Sequence, residues 1–404
     1  MADPLNISRQ LSLSLAMQAI VHCGPISRAS IAKQTGLSKQ TVSEVARILE
    51  EGGIIRETGR TSGHVGRSAV TYELIPDAAL VAAIDLGGTK LRVALVDLVG
   101  TILAEAVEPT TLEGGPALVA QIARLCRAVA AQKGHDFGKV KLAVAGCPGV
   151  PDAATGSVKF APNIPGIDRM NFRDALAAAL GVEVVMENDV NLAVLGEHWI
   201  GCGAGLDHLA YVALGTGIGA GLIVNGALTR GAYGAAGELG YLPFGADPFE
   251  AESLRVGALE RVVATHGIRS HFQRLTGRDL TVPEIFSAAG AGDAAAHEVL
   301  QATARTLSRA IAAIASITNP ELVILGGSIG ARPQLLAIVR QEIAACFPYP
   351  IRIEPSALGN HAALAGAVAV GLTHLHTALF AEGAPGVRVA LPTPDAATYL
   401  AAAS

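Results

Sequence analysis

The chain has 404 residues, half of them hydrophobic and 16% charged, with a formal net charge of −5. That length suits two or three domains rather than one core, and the composition excludes a disordered chain. The acidic balance excludes a uniformly basic nucleic-acid binder but leaves room for a small DNA-binding module. Cys23, Cys126, Cys147, Cys202 and Cys346 share no repeated spacing, so they read as reduced, buried thiols rather than a disulfide framework or metal cluster. The polar opening MADPLNISRQ lacks a secretory pattern, and apolar runs such as LAVAGC and LVILGG are too short to span a bilayer. The expectation is a soluble, cytoplasmic protein with no membrane partner.

Residues 1–76 carry eight Lys and Arg against six Asp and Glu, which leaves the rest of the chain at −7. The stretch SRASIAKQTGLSKQTVSEVARILEEGGII predicts two helices joined by a short turn. Ser27 or Ser30 can cap the first, which breaks at Gly36; Ser38 caps the second, with Thr41 three residues on. Val42, Val45, Ala46 and Leu49 share one face and predict core packing. Ser38, Lys39, Gln40, Thr41, Ser43 and Arg47 then lie on the helix as groups suited to base edges and phosphates. Gly52 and Gly53 stop this helix. IIRETGRTSGHVGRSAVTYEL follows as two strands around a tip with Arg60, His64, Gly66 and Arg67, and an arginine there can enter a minor groove. The order predicts a winged helix-turn-helix; the alternative is a helical hairpin that serves dimerisation only.

From about Leu80 to Leu375, apolar strand-like runs alternate with Ala-rich helical runs, which predicts α/β units. The run AAIDLGGTKLRVALVDL turns at Asp85-Leu86-Gly87-Gly88-Thr89-Lys90. The glycines let backbone N–H groups approach an anion, Thr89 and Lys90 add a donor and a charge, and Asp85 can position a hydrated Mg²⁺. A second turn, Gly215-Thr216-Gly217-Ile218-Gly219, and a third Gly pair, Gly326 and Gly327, also follow apolar strands. Each alone reads as a tight hairpin; together they fit an ATP-binding cleft between duplicated lobes. Asn188 and Asp189 end a strand and open a helix. Asp189 there is either a base for a sugar hydroxyl or a helix cap. The Ala- and Pro-rich residues 378–404 read as a loosely attached tail.

Residues 80–375 resemble the ROK family of repressors, open reading frames and sugar kinases. The resemblance rests on the 85–90 turn, GCPGV at 146–150, APNIPG at 161–166, ENDVN at 187–191, LGTGIGAG at 214–221, GELG at 237–240 and LGGSIG at 325–330. It implies a duplicated actin-like, ribonuclease-H-like body of the hexokinase type behind the winged head. The expected divisions are 1–76, 77–200 (lobe 1), 201–377 (lobe 2) and 378–404. By resemblance Asp189 matches the catalytic base of kinase members, and Asn163, Asn188, Asp189, Glu238 and Glu260 match sugar-holding positions. Gly87, Gly88, Thr89, Lys90, Thr216, Gly217, Gly326 and Gly327 match nucleotide-phosphate loops, with Asp85 beside them.

The family's structural zinc uses a His after GELG and three cysteines that follow; here Tyr241, Ala251, Ser253 and Ala258 occupy those positions. These side chains do not make a tetrahedral Zn²⁺ site, so no structural zinc is expected. Apolar packing of Leu242, Phe244, Phe249 and Leu254 is expected to order the segment instead. Tyr241 also reshapes the sugar site, because a phenol is bulkier than imidazole. The resemblance implies a sugar-responsive regulator, most simply a repressor, that needs no cofactor. Its partners would be operator DNA, a sugar or sugar-phosphate effector, and a second copy in a homodimer or homotetramer. Lobe closure would then respace the paired heads. The alternative is an ATP-dependent sugar kinase using Mg-ATP, and a third reading has another protein titrate the regulator.

Overall fold

The computed structural model describes residues 4–60, 69–161, 164–380, 391–394 and 396–402. At the N-terminus run α1 (Pro4–Cys23), β1 (Ile26–Ser27), α2 (Arg28–Thr35), α3 (Lys39–Glu51), β2 (Ile55–Arg60) and β3 (Val70–Leu74). Ser27 accepts from Ser30 N to cap α2, Gly36 ends it in the left-handed conformation, and Ser38 accepts from Thr41 N to start α3. Val42, Val45, Ala46 and Leu49 are buried, as the periodicity predicts, and α1 packs on both shorter helices. The three strands pair in the order β1-β3-β2, with an irregularity in β2 between Glu57 and Gly59. Arg60 ends β2; His64, Gly66 and Arg67 lie outside the described residues.

The remainder begins with β4 (Leu80–Leu86), β5 (Lys90–Val96), β6 (Ile102–Pro109), α4 (Gly115–Gln132) and β7 (Val140–Cys147). A short hairpin, β8 (Val150–Pro151) and β9 (Val158–Lys159), precedes α5 (Phe172–Leu180), β10 (Glu183–Asn188) and α6 (Asp189–Ile200). Next come β11 (Leu209–Leu214), β12 (Ile218–Val224), β13 (Ala227–Leu228), α7 (Ala251–Val256), α8 (Glu260–Val263), α9 (Thr265–Thr276), α10 (Val282–Gly290) and α11 (Ala294–Thr318). The chain closes with β14 (Leu322–Gly326), α12 (Gly327–Gly330), α13 (Pro333–Cys346), β15 (Ile353–Pro355), α14 (Ala362–Phe380) and α15 (Ala396–Ala402).

Two five-stranded sheets organise these elements, ordered β10-β7-β4-β5-β6 and β13-β12-β11-β14-β15. Read from β6 and from β13 and counted within each sheet, both run third-second-first-fourth-fifth, so one strand topology is used twice. This agrees with the duplicated body that the resemblance implies. In the first, β4 pairs antiparallel with β5 and sets Asp85 opposite Arg92. In the second, β11 pairs antiparallel with β12 and parallel with β14, so Ala213 meets both Gly219 and Gly326. The core of this second half gathers Val212, Leu214, Phe272, Leu307, Ile311 and Val339, all fully or nearly fully buried.

By internal contacts the chain forms two compact units: residues 1–145, 162–186 and 367–404, and residues 146–161 and 187–366. The chain passes between the units at 145/146, 161/162, 186/187 and 366/367, and α6 belongs with the second because it packs on β11 and β12. Gly371 of α14 lies against Val81 and Val144 in the first unit, and Gly366 against Leu192 in the second. The helical stretch Gly359–Phe380 is long and apolar enough to cross a bilayer, but 61% of its apolar window is buried inside the protein, as in a core helix. Within the expected tail, the described helix α15 packs on β6 and leaves Tyr399 2% exposed. All five cysteines are unbridged, with Cys126 and Cys147 buried as expected but Cys23 and Cys346 exposed.

Candidate functional site

Strand β12 organises the residues singled out in the second unit. Its Gly219 and Gly221 face α6, where a Cβ on Gly221 would fall 2.6 Å from Val190 O. Its Ile218 and Ala220 join the core instead. At the strand edge, the Gly237 carbonyl accepts from Ala220 N at 2.7 Å. Gly237 has φ +94°, and a Cβ there would sit 1.9 Å from Ala220 O, so only glycine fits in front of Glu238. Thus the start of α6 and the GELG turn are both set against one strand.

Asn188, not Asp189, caps α6: its side chain accepts from Val190 N and Asn191 N and donates to Gly149 O at 2.9 Å. Asp189 is the first helical residue, half-buried, and its Oδ1 accepts from Val190 N at 2.9 Å. Beneath both lies Glu187, to which the sequence reading assigns no role. Its buried carboxylate accepts from Asn188 N and Asn191 Nδ2, each at 2.9 Å, and from Arg230 Nε at 2.7 Å. An acid directly before the Asn-Asp pair, at the end of an apolar strand, is the signal that could have found it. Burial, then the charges of Asp189 and Glu187, push the nearby Cys147 thiol up, which makes it a packing group rather than a nucleophile.

Glu238, Tyr241 and Glu260 form a second cluster. Burial and then the Glu260 charge hold the Glu238 carboxyl above its ordinary range. Burial also raises Glu260, against the lowering effect of Ile218 N, which donates to its Oε2 at 2.9 Å. Tyr241 is raised by burial and by both carboxylates. The Tyr241 ring meets Phe160 edge-on at 6.3 Å between centroids. Phe160 adopts φ +56°, uncommon for a bulky side chain, and such strain clusters at ligand sites. The segment carrying Gly149 and Phe160 therefore touches Asn188 at one end and Tyr241 at the other. Asn163 lies outside the described residues.

Two of the glycine-rich turns come together in the same unit. Ser328 Oγ would lie 3.2 Å from a Cβ on Gly215, and Gly327 is pressed against the Leu214 backbone. Thr265 anchors the first of these turns by donating through N and Oγ1 to Gly215 O, at 3.0 and 2.9 Å. Thr216 is exposed and Gly217 half-buried beside Glu260. Gly326 lies against the Tyr211 hydroxyl. In the first unit, Gly87 N donates to Lys90 O at 2.9 Å to close the turn, and Thr110 Oγ1 donates to Gly87 O. Gly88 is half-buried there, while Thr89 and Lys90 are exposed.

The segment after GELG is held differently from expectation. Leu242 and Phe244 pack on the core, but Phe249 and Leu254 are 89% and 70% exposed. Polar contacts replace the missing apolar ones: Arg261 Nη1 donates to Glu250 Oε2 and to Ser253 Oγ, each at 2.6 Å. In the head, local bonds engage several expected DNA-facing groups. Ser38 and Thr41 bond each other, Ser43 Oγ donates to Lys39 O at 2.9 Å, and Arg47 pairs with Glu51 at 2.8 Å. Lys39 and Gln40 are exposed. Arg28, absent from the expected set, stacks 5.0 Å over the Tyr72 ring. With Lys39, Ser43 and Glu57 it lines a concavity of about 430 Å³.

Comparisons with known proteins follow the same division into body and head. A sequence profile of the ROK family matches residues 81–373. A glucokinase from Thermotoga maritima is 34% identical over 268 residues, 63% of this chain and 83% of that protein. A xylose repressor from Caldicellulosiruptor bescii is 25% identical over 389 residues, 92% of this chain and 97% of that one. A solved ROK family transcriptional regulator, a homolog of the Escherichia coli MLC protein, superimposes with TM-score 0.74 at 23% identity, covering 93% and 98% of the two chains. At that identity the likeness concerns the fold.

Proposed function

The chain belongs to the ROK family, and from that membership and its site we propose that it is a sugar-responsive transcriptional regulator, a repressor in its simplest form. One observation carries the reading: the likeness to a xylose repressor runs over 92% of the chain and so reaches into the head, whereas the likeness to a glucokinase covers 63%. The head supports it with an α3 that buries one face and exposes Lys39 and Gln40 at its start. In this reading the head is a winged helix-turn-helix whose α3 enters the major groove of operator DNA. Two copies in a homodimer or homotetramer read half-sites roughly 34–36 Å apart. A sugar or sugar phosphate bound by Asn188, Asp189, Glu238 and Glu260 lowers operator affinity by favouring one arrangement of the heads. The protein works in the cytoplasm, and no cofactor is needed for this role.

The test is direct. Duplexes selected from a random-sequence pool are titrated by fluorescence anisotropy, with and without a panel of monosaccharides and their phosphates. The expected result is a specific duplex whose affinity falls about tenfold with one sugar, a coupling of ordinary size. No effect from any sugar overturns the induction reading, and no specific duplex overturns DNA recognition. A second reading, ATP-dependent sugar phosphorylation, is favoured by one observation: Asn188 serves as the α6 cap, so Asp189 is not needed for that purpose. Asp189 would then take the proton of the attacking sugar hydroxyl. The Thr216–Gly217 turn, in the same unit as Asp189, would take part in holding the phosphates of Mg-ATP. ADP release over the same sugar panel separates the two activities, which can coexist.

A further inference from the structure

The segment from Gly240 to Val262 has to hold Glu260 in place, yet the positions that would carry a structural zinc by family resemblance are Tyr241, Ala251, Ser253 and Ala258. One phenol and one hydroxyl, with no imidazole or thiolate, do not fit a tetrahedral zinc ion. Something else must tie α7 to α8. We propose that Arg261 is the positioning residue that does so, through Glu250 and Ser253, so that the segment is braced without a metal.

The geometry is specific. The Arg261 side chain is only 26% exposed, and its Nη1 lies 2.6 Å from both Glu250 Oε2 and Ser253 Oγ. Ser253 is 3% exposed, so its bond is shielded from water, whereas Glu250 at 53% is partly screened by solvent. The guanidinium thus crosses from the first turn of α8 to the start of α7. A backbone bond from Leu259 N to Gly240 O at 3.0 Å ties the same stretch to the GELG turn. Glu260 precedes Arg261, and its Oε2 accepts from Ile218 N at 2.9 Å. Displacing α8 therefore moves the carboxylate beside the 215–217 turn. Because half of the brace is an ion pair with the partly exposed Glu250, added salt screens that half while the shielded Ser253 bond is kept.

The consequence for sugar rests on the sugar-site reading above, so the test reads segment order first. Hydrogen exchange on the full chain, after exhaustive chelation and with zinc content measured, reports residues 240–262. The wild type is expected to exchange identically before and after chelation. Arg261→Met is expected to exchange about tenfold faster in this segment only, as for the loss of one charged hydrogen bond. Arg255→Met, which removes an exposed pair with Glu252 on the same helix, is the control and should match wild type. Should Arg261→Met fail to fold, the pair Glu250→Gln and Ser253→Ala removes the acceptors instead, with the same expectation. Unchanged exchange in these variants overturns the proposal, as does stoichiometric zinc whose removal loosens the segment. A wild type that binds no sugar would overturn the sugar-site reading and leave the exchange result standing.

Discussion

Replacing Glu187 by Gln tests whether the buried acid organises the start of α6. The carboxylate is 9% exposed and takes three donors: Arg230 Nε, Asn188 N and Asn191 Nδ2. A carboxylate offers two accepting oxygens, whereas a glutamine offers one and turns an NH₂ toward a donor. Arg230 is 55% exposed and can regain water, so the lost ion pair contributes little by itself. The larger loss is the mispaired buried donor, about 2 kcal/mol. For a unit of this size that lowers the melting temperature by roughly 4–8 °C. Arg230→Ala should cost less, because Glu187 keeps its other two donors. Calorimetry on Glu187→Gln, Arg230→Ala and the double variant gives the coupling, and sugar affinity reports whether Asn188 and Asp189 have moved. A Glu187→Gln protein with wild-type melting and wild-type sugar affinity would refute this account.

Three further outcomes are expected. Glu238→Gln should stabilise the unliganded protein at neutral pH while weakening sugar binding. A folded pKa raised by burial and Glu260 means the ionised native carboxyl is penalised above it, and the penalty disappears as the pH falls through that value. Melting curves of variant and wild type should therefore converge in acid, and wild-type sugar affinity should fall over the same window as the accepting carboxylate is protonated. Lys39→Ala should weaken binding to all duplexes alike and reduce the salt slope by about one, measured by anisotropy at several salt concentrations. Asp189→Asn should abolish any sugar-dependent ADP release, since the amide cannot take a proton, while leaving operator binding intact.

Much of the head was legible because caps and periodicity are local: Ser27, Gly36, Ser38 and the Val42–Leu49 face act within a few residues of themselves. The strands of the body were legible for a similar reason, as β4 and β14 are buried runs bounded by glycine. Glu187 was not, because its role depends on Arg230, distant in sequence and brought in by the fold. The bracing of residues 240–262 was legible only in part: Leu242 and Phe244 pack as expected. Phe249 and Leu254 look like core residues by type but lie exposed, while Arg261 bonds Glu250 and Ser253 in the same segment. The role of Asp189, base or cap, stayed open in the sequence because Asn and Asp cap equally well; the backbone turn gives the cap to Asn188.

The glycines of β12 show why the LGTGIGAG run matters beyond any phosphate. Alternation along a strand sends Gly219 and Gly221 to the α6 face and Ile218 and Ala220 to the core. A phosphate-binding role alone would make the residues nearest the turn the most sensitive, so Gly219 would tolerate alanine less well than Gly221. Packing predicts the reverse. A methyl on Gly219 meets only the end of the Val190 side chain, at 3.3 Å, whereas one on Gly221 meets Val190 O at 2.6 Å and Val194 Cγ1 at 2.7 Å. Backbone cannot rotate away as a side chain can, so Gly221→Ala should lose about 1–3 kcal/mol by overpacking. It should also push the first turn of α6, and Asp189 with it, off the strand. Thermal unfolding and sugar affinity of the two alanine variants decide the matter. Equal tolerance at both positions, or greater damage at Gly219, would mean that the helix is not seated on the strand by this contact.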